Sequence, residues 1–92
     1  MSLLSDEQIS EALVESAWER DGDAIARGLE FDDFAAAMRF VNRVAEAAEA
    51  ANHHPDILVH GWNKVRLVLS THSEGGITQS DLDMARRLDG LA

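Results

Sequence analysis

The run Asp33-Phe34-Ala35-Ala36-Ala37-Met38-Arg39-Phe40-Val41-Asn42-Arg43-Val44-Ala45-Glu46-Ala47-Ala48-Glu49-Ala50-Ala51-Asn52-His53-His54-Pro55-Asp56 decides how the chain folds. Phe34, Ala37, Met38, Val41, Val44, Ala45 and Ala48 recur at intervals of three and four, which predicts an amphipathic helix from about Asp33 to Ala51 with Asp32 as its cap. The alanines favour the helical state and suit close packing on a sheet. Asn52 fits the left-handed exit of a helix, and Pro55 prevents its continuation. His53 and His54 are thereby expected just beyond the helix end, where the dipole favours a protonated imidazole.

Downstream of this helix the pattern changes to alternation. Ile57-Leu58-Val59 begins a strand, and His60-Gly61-Trp62-Asn63 reads as a turn in which His60 has no further role. Lys64 to Thr71 is the clearest strand: Val65, Leu67 and Leu69 share one face, while Lys64, Arg66, Val68 and Ser70 share the other. That second face is mixed and suits either solvent or a subunit contact. Ser73 to Gly76 is a loop, and Thr78 caps a last helix that turns Leu82, Ala85 and Leu88 inward and ends at Gly90.

Upstream, Ser5 and Gln8 form a capping box for a first helix from about Asp6 to Ser16. Trp18-Glu19-Arg20 is a short strand, and Asp21-Gly22 is a hairpin signal. The return strand runs from Ala24 to Phe31, with Ile25, Arg27, Leu29 and Phe31 on one face. The order α-β-β-α-β-β-α predicts an α+β fold: a four-stranded antiparallel sheet with helices packed on one face. The 92 residues are expected to form one domain, residues 1–92.

Eight basic against seventeen acidic residues give a formal charge of −9. That charge disfavours nucleic acid and anionic membrane as partners. With no cysteine there is neither a disulfide framework nor a thiolate metal site, in keeping with a cytoplasmic protein. No apolar run approaches the ~20 residues that span a bilayer, and no secretory signal is expected at the N-terminus. A chain this short buries only about 60 % of its unfolded surface, so association into an oligomer would supplement the core.

His53, His54 and His72 fall at a helix end and a strand end, two elements that can converge while each keeps its backbone rigid. Imidazole moves protons near neutral pH because its ordinary pKa is about 6.5. Glu49, one helical turn before His53, is placed to orient it. A zinc site built from the histidines and Glu49 is the competing chemistry. Neighbouring histidines rarely point the same way, however, and no H-x3-H or H-x-H pair is present, so no metal and no cofactor is expected. Trp18 is open to two readings, stacking on a flat ligand or packing in the core.

Glu49, His53-His54-Pro55-Asp56, Asn63-Lys64-Val65-Arg66-Leu67-Val68-Leu69-Ser70-Thr71-His72 and Gly76-Ile77-Thr78-Gln79-Ser80-Asp81 resemble, in order and spacing, the pterin-4a-carbinolamine dehydratase family. The resemblance extends upstream to Trp18 and Phe31. It implies dehydration of 4a-hydroxytetrahydropterin to quinonoid dihydropterin in tetrahydropterin recycling, alongside an aromatic amino acid hydroxylase. It also implies a homodimer or homotetramer. It makes His53, His54 and His72 the active-site histidines; Glu49 completes the expected catalytic set, and placement on two different elements favours His53 and His72 for proton transfer, with His54 holding the pterin. Asn52, Ser70, Thr71 and Ser73, with Trp18, would join the histidines in binding the pterin, and Asp81 would stand behind them or merely begin the last helix. A non-catalytic module for protein assembly or transcription is the alternative within the family. Between His54 and Asn63 the chain has an extra residue relative to the animal members, which requires a bulge or longer turn. Asn52 stands where an acidic residue is common.

Overall fold

The structure is a computed structural model in which residues 2–92 are described. Helix α1 spans Asp6–Leu13, strands β1 and β2 span Glu19–Asp21 and Ala24–Glu30, and helix α2 spans Phe34–Ala51. Strands β3 and β4 follow at Asp56–His60 and Lys64–Leu69, then a single 3-10 turn at His72–Glu74 and helix α3 at Gln79–Asp89. All pairings are antiparallel and the strand order is β1-β2-β4-β3. This is the expected α+β order.

Alternation along β4 sets the two faces of the sheet. Val65, Leu67 and Leu69 are buried, and with Ile25 they meet Ile9 of α1, Phe40 and Val44 of α2 and Leu88 of α3 in one cluster. Arg66, opposite Leu58 and Gly28, lies on the other face. Phe40 is fully buried and stacks at a tilt on Phe31, with ring centroids 5.1 Å apart. Truncating such a ring to alanine typically costs about 3–5 kcal/mol.

The apolar stripe of α2 is rotated from the expected one. Ala37, Phe40, Val44, Ala47 and Ala48 are buried, whereas Phe34 is 55 % exposed and Ala45 is also exposed. So many positions of this helix are apolar that periodicity alone fixed the face only to within a neighbouring row; the Phe31 ring settles it in favour of Phe40. The cap is Asp33, not Asp32: its carboxylate accepts from the Ala36 N–H at 2.7 Å. Helix α1 stops at Leu13, before Ser16.

Three strand expectations also shift. Glu19–Asp21, one residue later than expected, pairs with β2 around the two-residue turn Gly22-Asp23, where Gly22 takes φ 61. A type II′ connection wants glycine at that position. Ladder pairing of β4 ends at Leu69, and Thr71 keeps an isolated bridge to Gly76. His60 is the last residue of β3, paired with Lys64, not part of the turn. The extra residue leaves the β3–β4 register unbroken. It is absorbed in the turn Gly61-Trp62-Asn63, where Gly61 and Trp62 both take positive φ (54 and 59).

Candidate active site

The end of α2 determines where the paired histidines point. Asn52 sits in the left-handed region (φ 49, ψ 43). Its N–H returns to the Glu49 carbonyl at 3.3 Å, and the His53 N–H returns to Ala48 at 3.1 Å. This double closure is a Schellman stop, and it turns the chain off the helical path. The rings of His53 and His54 then diverge.

His53 turns toward α3, where its Nε2 lies 2.6 Å from Oδ1 of Asp81. Asp81 is fully buried and accepts two more hydrogen bonds on Oδ2, from the Thr78 N–H and the Thr71 hydroxyl, both at 2.9 Å. The Thr78 hydroxyl is 2.7 Å from that of Thr71 and completes the chain by donating to it. A carboxylate is acceptor-only, so the proton arrangement follows: Nε2 of His53 carries its hydrogen, and in the neutral ring Nδ1 is the free acceptor. Asp81 thus belongs to the capping box of α3 and also bonds the His53 ring.

His54 pairs instead with Glu49, whose Oε2 contacts its Nε2 at the surface. The expectation that Glu49 orients His53 is therefore corrected. The i to i+4 relation holds only while the helix continues, and the stop at Asn52 moves His54 into that place. The pair is exposed, and such pairs contribute at most about 1 kcal/mol to stability.

His72 opens the 3-10 turn that follows β4, with its side chain exposed and Gly75 (φ 74) closing the turn onto Thr71 and His72 carbonyls. Thr71, its neighbour, is tied through Asp81 to His53, so the two histidine segments meet at one buried carboxylate. The hydroxyl of Ser70 donates to the Asp23 carbonyl at 2.9 Å and faces Gly76 O at 3.4 Å, pinning the loop to the first hairpin. Ser73 lies exposed in the turn, and Asn52 is exposed at the helix stop.

Trp18 is not among these residues. It is 2 % exposed, its indole N–H donates to Asp89 at 2.8 Å, and Asp89 also pairs with Arg27. Asp81 and Asp89 are about 12 Å apart along the axis of α3 at 1.5 Å per residue. The ligand-stacking role expected for Trp18 gives way to core packing, because both ring faces are covered.

Beside His53 lies an open cleft of about 200 Å³, lined by Ala51, His53, Ser80, Asp83, Met84 and Arg87. The α3 members recur at three, four and seven residues, one helix face, and that spacing was the available signal for them. The sequence reading followed only the buried face of Leu82, Ala85 and Leu88. Among the described residues, no group of three His, Asp or Glu side chains is disposed to hold a metal ion.

The chain matches the family description "Pterin 4 alpha carbinolamine dehydratase" over residues 2–91. The chain belongs to the pterin-4a-carbinolamine dehydratase family. A Nocardia farcinica protein named as a candidate pterin-4-alpha-carbinolamine dehydratase is 54 % identical over 91 residues, covering 98 % of this chain and 95 % of that one. A Thermomicrobium roseum protein of the same name is 52 % identical, covering 100 % of this chain and 99 % of its own. Among solved structures, a transcriptional coactivator/pterin dehydratase from Brucella melitensis superposes with a TM-score of 0.92 at 35 % identity, covering 99 % of both chains. A pterin dehydratase-like protein identified as a RuBisCO assembly factor in the alpha-carboxysome shares the fold, with a TM-score of 0.72 at 23 % identity over 83 % of this chain and 89 % of its own. Proteins named for catalysis thus share this fold with one named for assembly.

Proposed function

We propose that this protein, residues 1–92 acting as a single pterin carbinolamine dehydratase-like domain, removes water from 4a-hydroxytetrahydropterin. In this reaction the C4a–O bond breaks, N5 loses its proton and a C4a=N5 bond forms, giving quinonoid dihydropterin and water. One group must accept the N5 proton and another must protonate the departing hydroxyl; each such transfer is worth about 10²–10⁴-fold. The observation that supports the reading is the bond from His53 Nε2 to the buried Asp81 carboxylate. It fixes the ring and leaves Nδ1 as the free nitrogen for proton transfer. His72 is the second proton-transfer group, supplied from the segment that Thr71 anchors to the same carboxylate. His54, paired with Glu49 at the surface, holds the pterin, with backbone and side-chain groups of Asn52, Ser70, Thr71 and Ser73 around it.

The reading places the protein in the cytoplasm, in tetrahydropterin recycling beside an aromatic amino acid hydroxylase, as a homodimer or homotetramer. No helix among the described residues is long and apolar enough to cross a membrane. The charge of −9 argues against a nucleic-acid partner. An assembly or transcriptional role of the same fold is the alternative, favoured by the names of the Brucella relative and the carboxysome neighbour. Neither role needs an imidazole locked to a buried carboxylate. Adding purified protein to freshly generated 4a-hydroxytetrahydropterin and following quinonoid dihydropterin by absorbance separates the two. Acceleration over the spontaneous rate supports dehydration, and its absence with folded protein defeats it.

A further inference from the structure

Thr78 is the N-cap of α3 and shares a capping box with Asp81. A cap needs only an acceptor oxygen, and on a protein surface the hydroxyl hydrogen points to water. Thr78 is fully buried, so solvent does not reach it. A hydroxyl hydrogen buried without an acceptor is costly, so this one must be placed within the protein. The Thr71 hydroxyl oxygen receives it at 2.7 Å. Thr71 gives its own hydrogen to Oδ2 of Asp81 at 2.9 Å, where a carboxylate can only accept. The chain of bonds therefore runs one way, from Thr78 to Thr71 to Asp81, and there it meets the bond from His53.

Both ends of this relay are anchored. Leu4 donates its N–H to the Ile77 carbonyl at 2.9 Å, and Leu3 forms an antiparallel bridge with Thr78. These contacts hold the cap from the N-terminal side. Thr71 donates its N–H to the Gly76 carbonyl at 2.8 Å, and its own carbonyl accepts from Glu74 and Gly75, both at 3.0 Å. The bonds to the Thr71 carbonyl close the turn that His72 opens. The relay thus joins a clamped helix cap to the turn of one histidine and the carboxylate of the other. Two proton transfers to one substrate need both imidazoles at a fixed separation, and a displacement of about 1 Å can cost on the order of 10²-fold.

We propose that Thr78 is a positioning residue: its buried hydroxyl holds Thr71 in the one orientation that ties the His72 turn to the His53–Asp81 pair. The kinetic consequence rests on the dehydratase reading of the same site; the relay itself does not. Burial keeps substrate from Thr78, so the residue acts only through Thr71. Without the Thr78 hydrogen, the Thr71 oxygen keeps an unmet lone pair and its hydroxyl is free to turn away from Asp81. Serine preserves the relay, whereas valine matches the shape of threonine and lacks the hydroxyl.

The test uses the full-length protein, with 4a-hydroxytetrahydropterin as the substrate and ¹⁵N spectra of the histidine rings in the free protein. Thr78→Val is expected to lower kcat about five-fold or more, the loss typical of one neutral hydrogen bond, with KM within about two-fold of wild type. Thr78→Ser should run near the wild-type rate. Thr71→Val, which leaves the cap of α3 in place, should lower kcat at least as far. Adding Thr78→Val to it should bring no further loss, because both residues act along one chain. A role confined to capping would persist in that background. The ring-nitrogen signals of His53 should move in Thr78→Val and return in Thr78→Ser. All rates are compared well below the lowest unfolding midpoint. Should Thr78→Val fail to fold, Thr71→Val decides: a fall in kcat alone supports the relay, and a rise in KM alone makes Thr71 a pterin contact and overturns it. A folded Thr78→Val protein with wild-type kcat and unmoved His53 signals also overturns the proposal. So do losses that multiply in the double variant, or a Thr78→Ser protein as slow as Thr78→Val. If wild type shows no dehydration, the dehydratase reading falls, and the His53 signals decide the relay by themselves.

Discussion

Replacing Asp81 with asparagine separates the structural from the chemical role of the carboxylate at the centre of the site. Oδ2 accepts the backbone N–H of Thr78, which is wholly buried and cannot be turned into an acceptor. The asparagine oxygen must therefore occupy the Oδ2 position, and its NH₂ must face His53. An NH₂ can only donate, so Nε2 of His53 must give up its hydrogen and the proton moves to Nδ1. The variant keeps the cap and the Thr71 bond but reverses the imidazole tautomer. Losing a charged acceptor costs about 1.5 kcal/mol at the lower end of its range, which lowers Tm by roughly 6–12 °C in a domain this small. Total stability on the order of 5–14 kcal/mol leaves the protein folded. Catalysis should fall much further, by about 10²-fold or more in kcat, because the wrong nitrogen carries the proton. Asp81→Ala instead strands the Thr78 N–H and removes the cap, for about 2–4 kcal/mol. The assays are rapid-mixing dehydration kinetics, thermal unfolding and ¹⁵N spectra of the histidine ring. A folded Asp81→Asn protein with wild-type kcat, or with Nε2 of His53 still protonated, would refute the reasoning.

Three further outcomes are expected. Trp18→Phe retains the core packing but loses the bond to Asp89, so it should lower stability by about 1 kcal/mol and leave dihydropterin affinity unchanged; titration and thermal unfolding check both, and a ten-fold affinity loss would return Trp18 to the site. Turnover should survive exhaustive chelation, given the lack of clustered ligands among the described residues; a loss that zinc restores would contradict this. Sedimentation at micromolar concentration should show no major 10.1 kDa species, because the outer sheet face exposes Leu58 and the core is small; an active monomer at that concentration would count against it.

Local signals in the sequence were legible wherever one element carried the whole message. Ser5 and Gln8 bond reciprocally as a capping box should, at 2.8 and 3.1 Å. Asn52 takes the left-handed exit, and Val65, Leu67 and Leu69 face the core. Most of the misreadings share a cause: they depended on how two elements meet. Helical spacing assigned Glu49 to His53, but the stop at Asn52 ends the helix one residue too soon for that relation, and tertiary contact gives His53 to Asp81 instead. Asp81 lies far from His53 in sequence and sits at a position where an acidic residue is ordinary, so nothing local distinguished its second role. Asp32 and Asp33 are both good caps, and only the entry angle of α2 chose between them. His60 looked like part of the turn because Gly61 and Trp62 could share the reversal in more than one register, and pairing with Lys64 settled it.

The most direct test of the central claim is the dehydration rate of 4a-hydroxytetrahydropterin with wild-type protein beside the His53→Ala/His72→Ala double variant, both at matched oligomeric state and unfolding midpoint. The account predicts clear acceleration over buffer by wild type. Each single variant should lower kcat by about ten-fold or more, and the double variant by less than the product of the two, since both groups act on one transition state. A wild-type rate equal to buffer would contradict the account. So would a folded double variant that keeps full kcat while His54→Ala abolishes it, which would move proton transfer to the pair formed by His54 and Glu49.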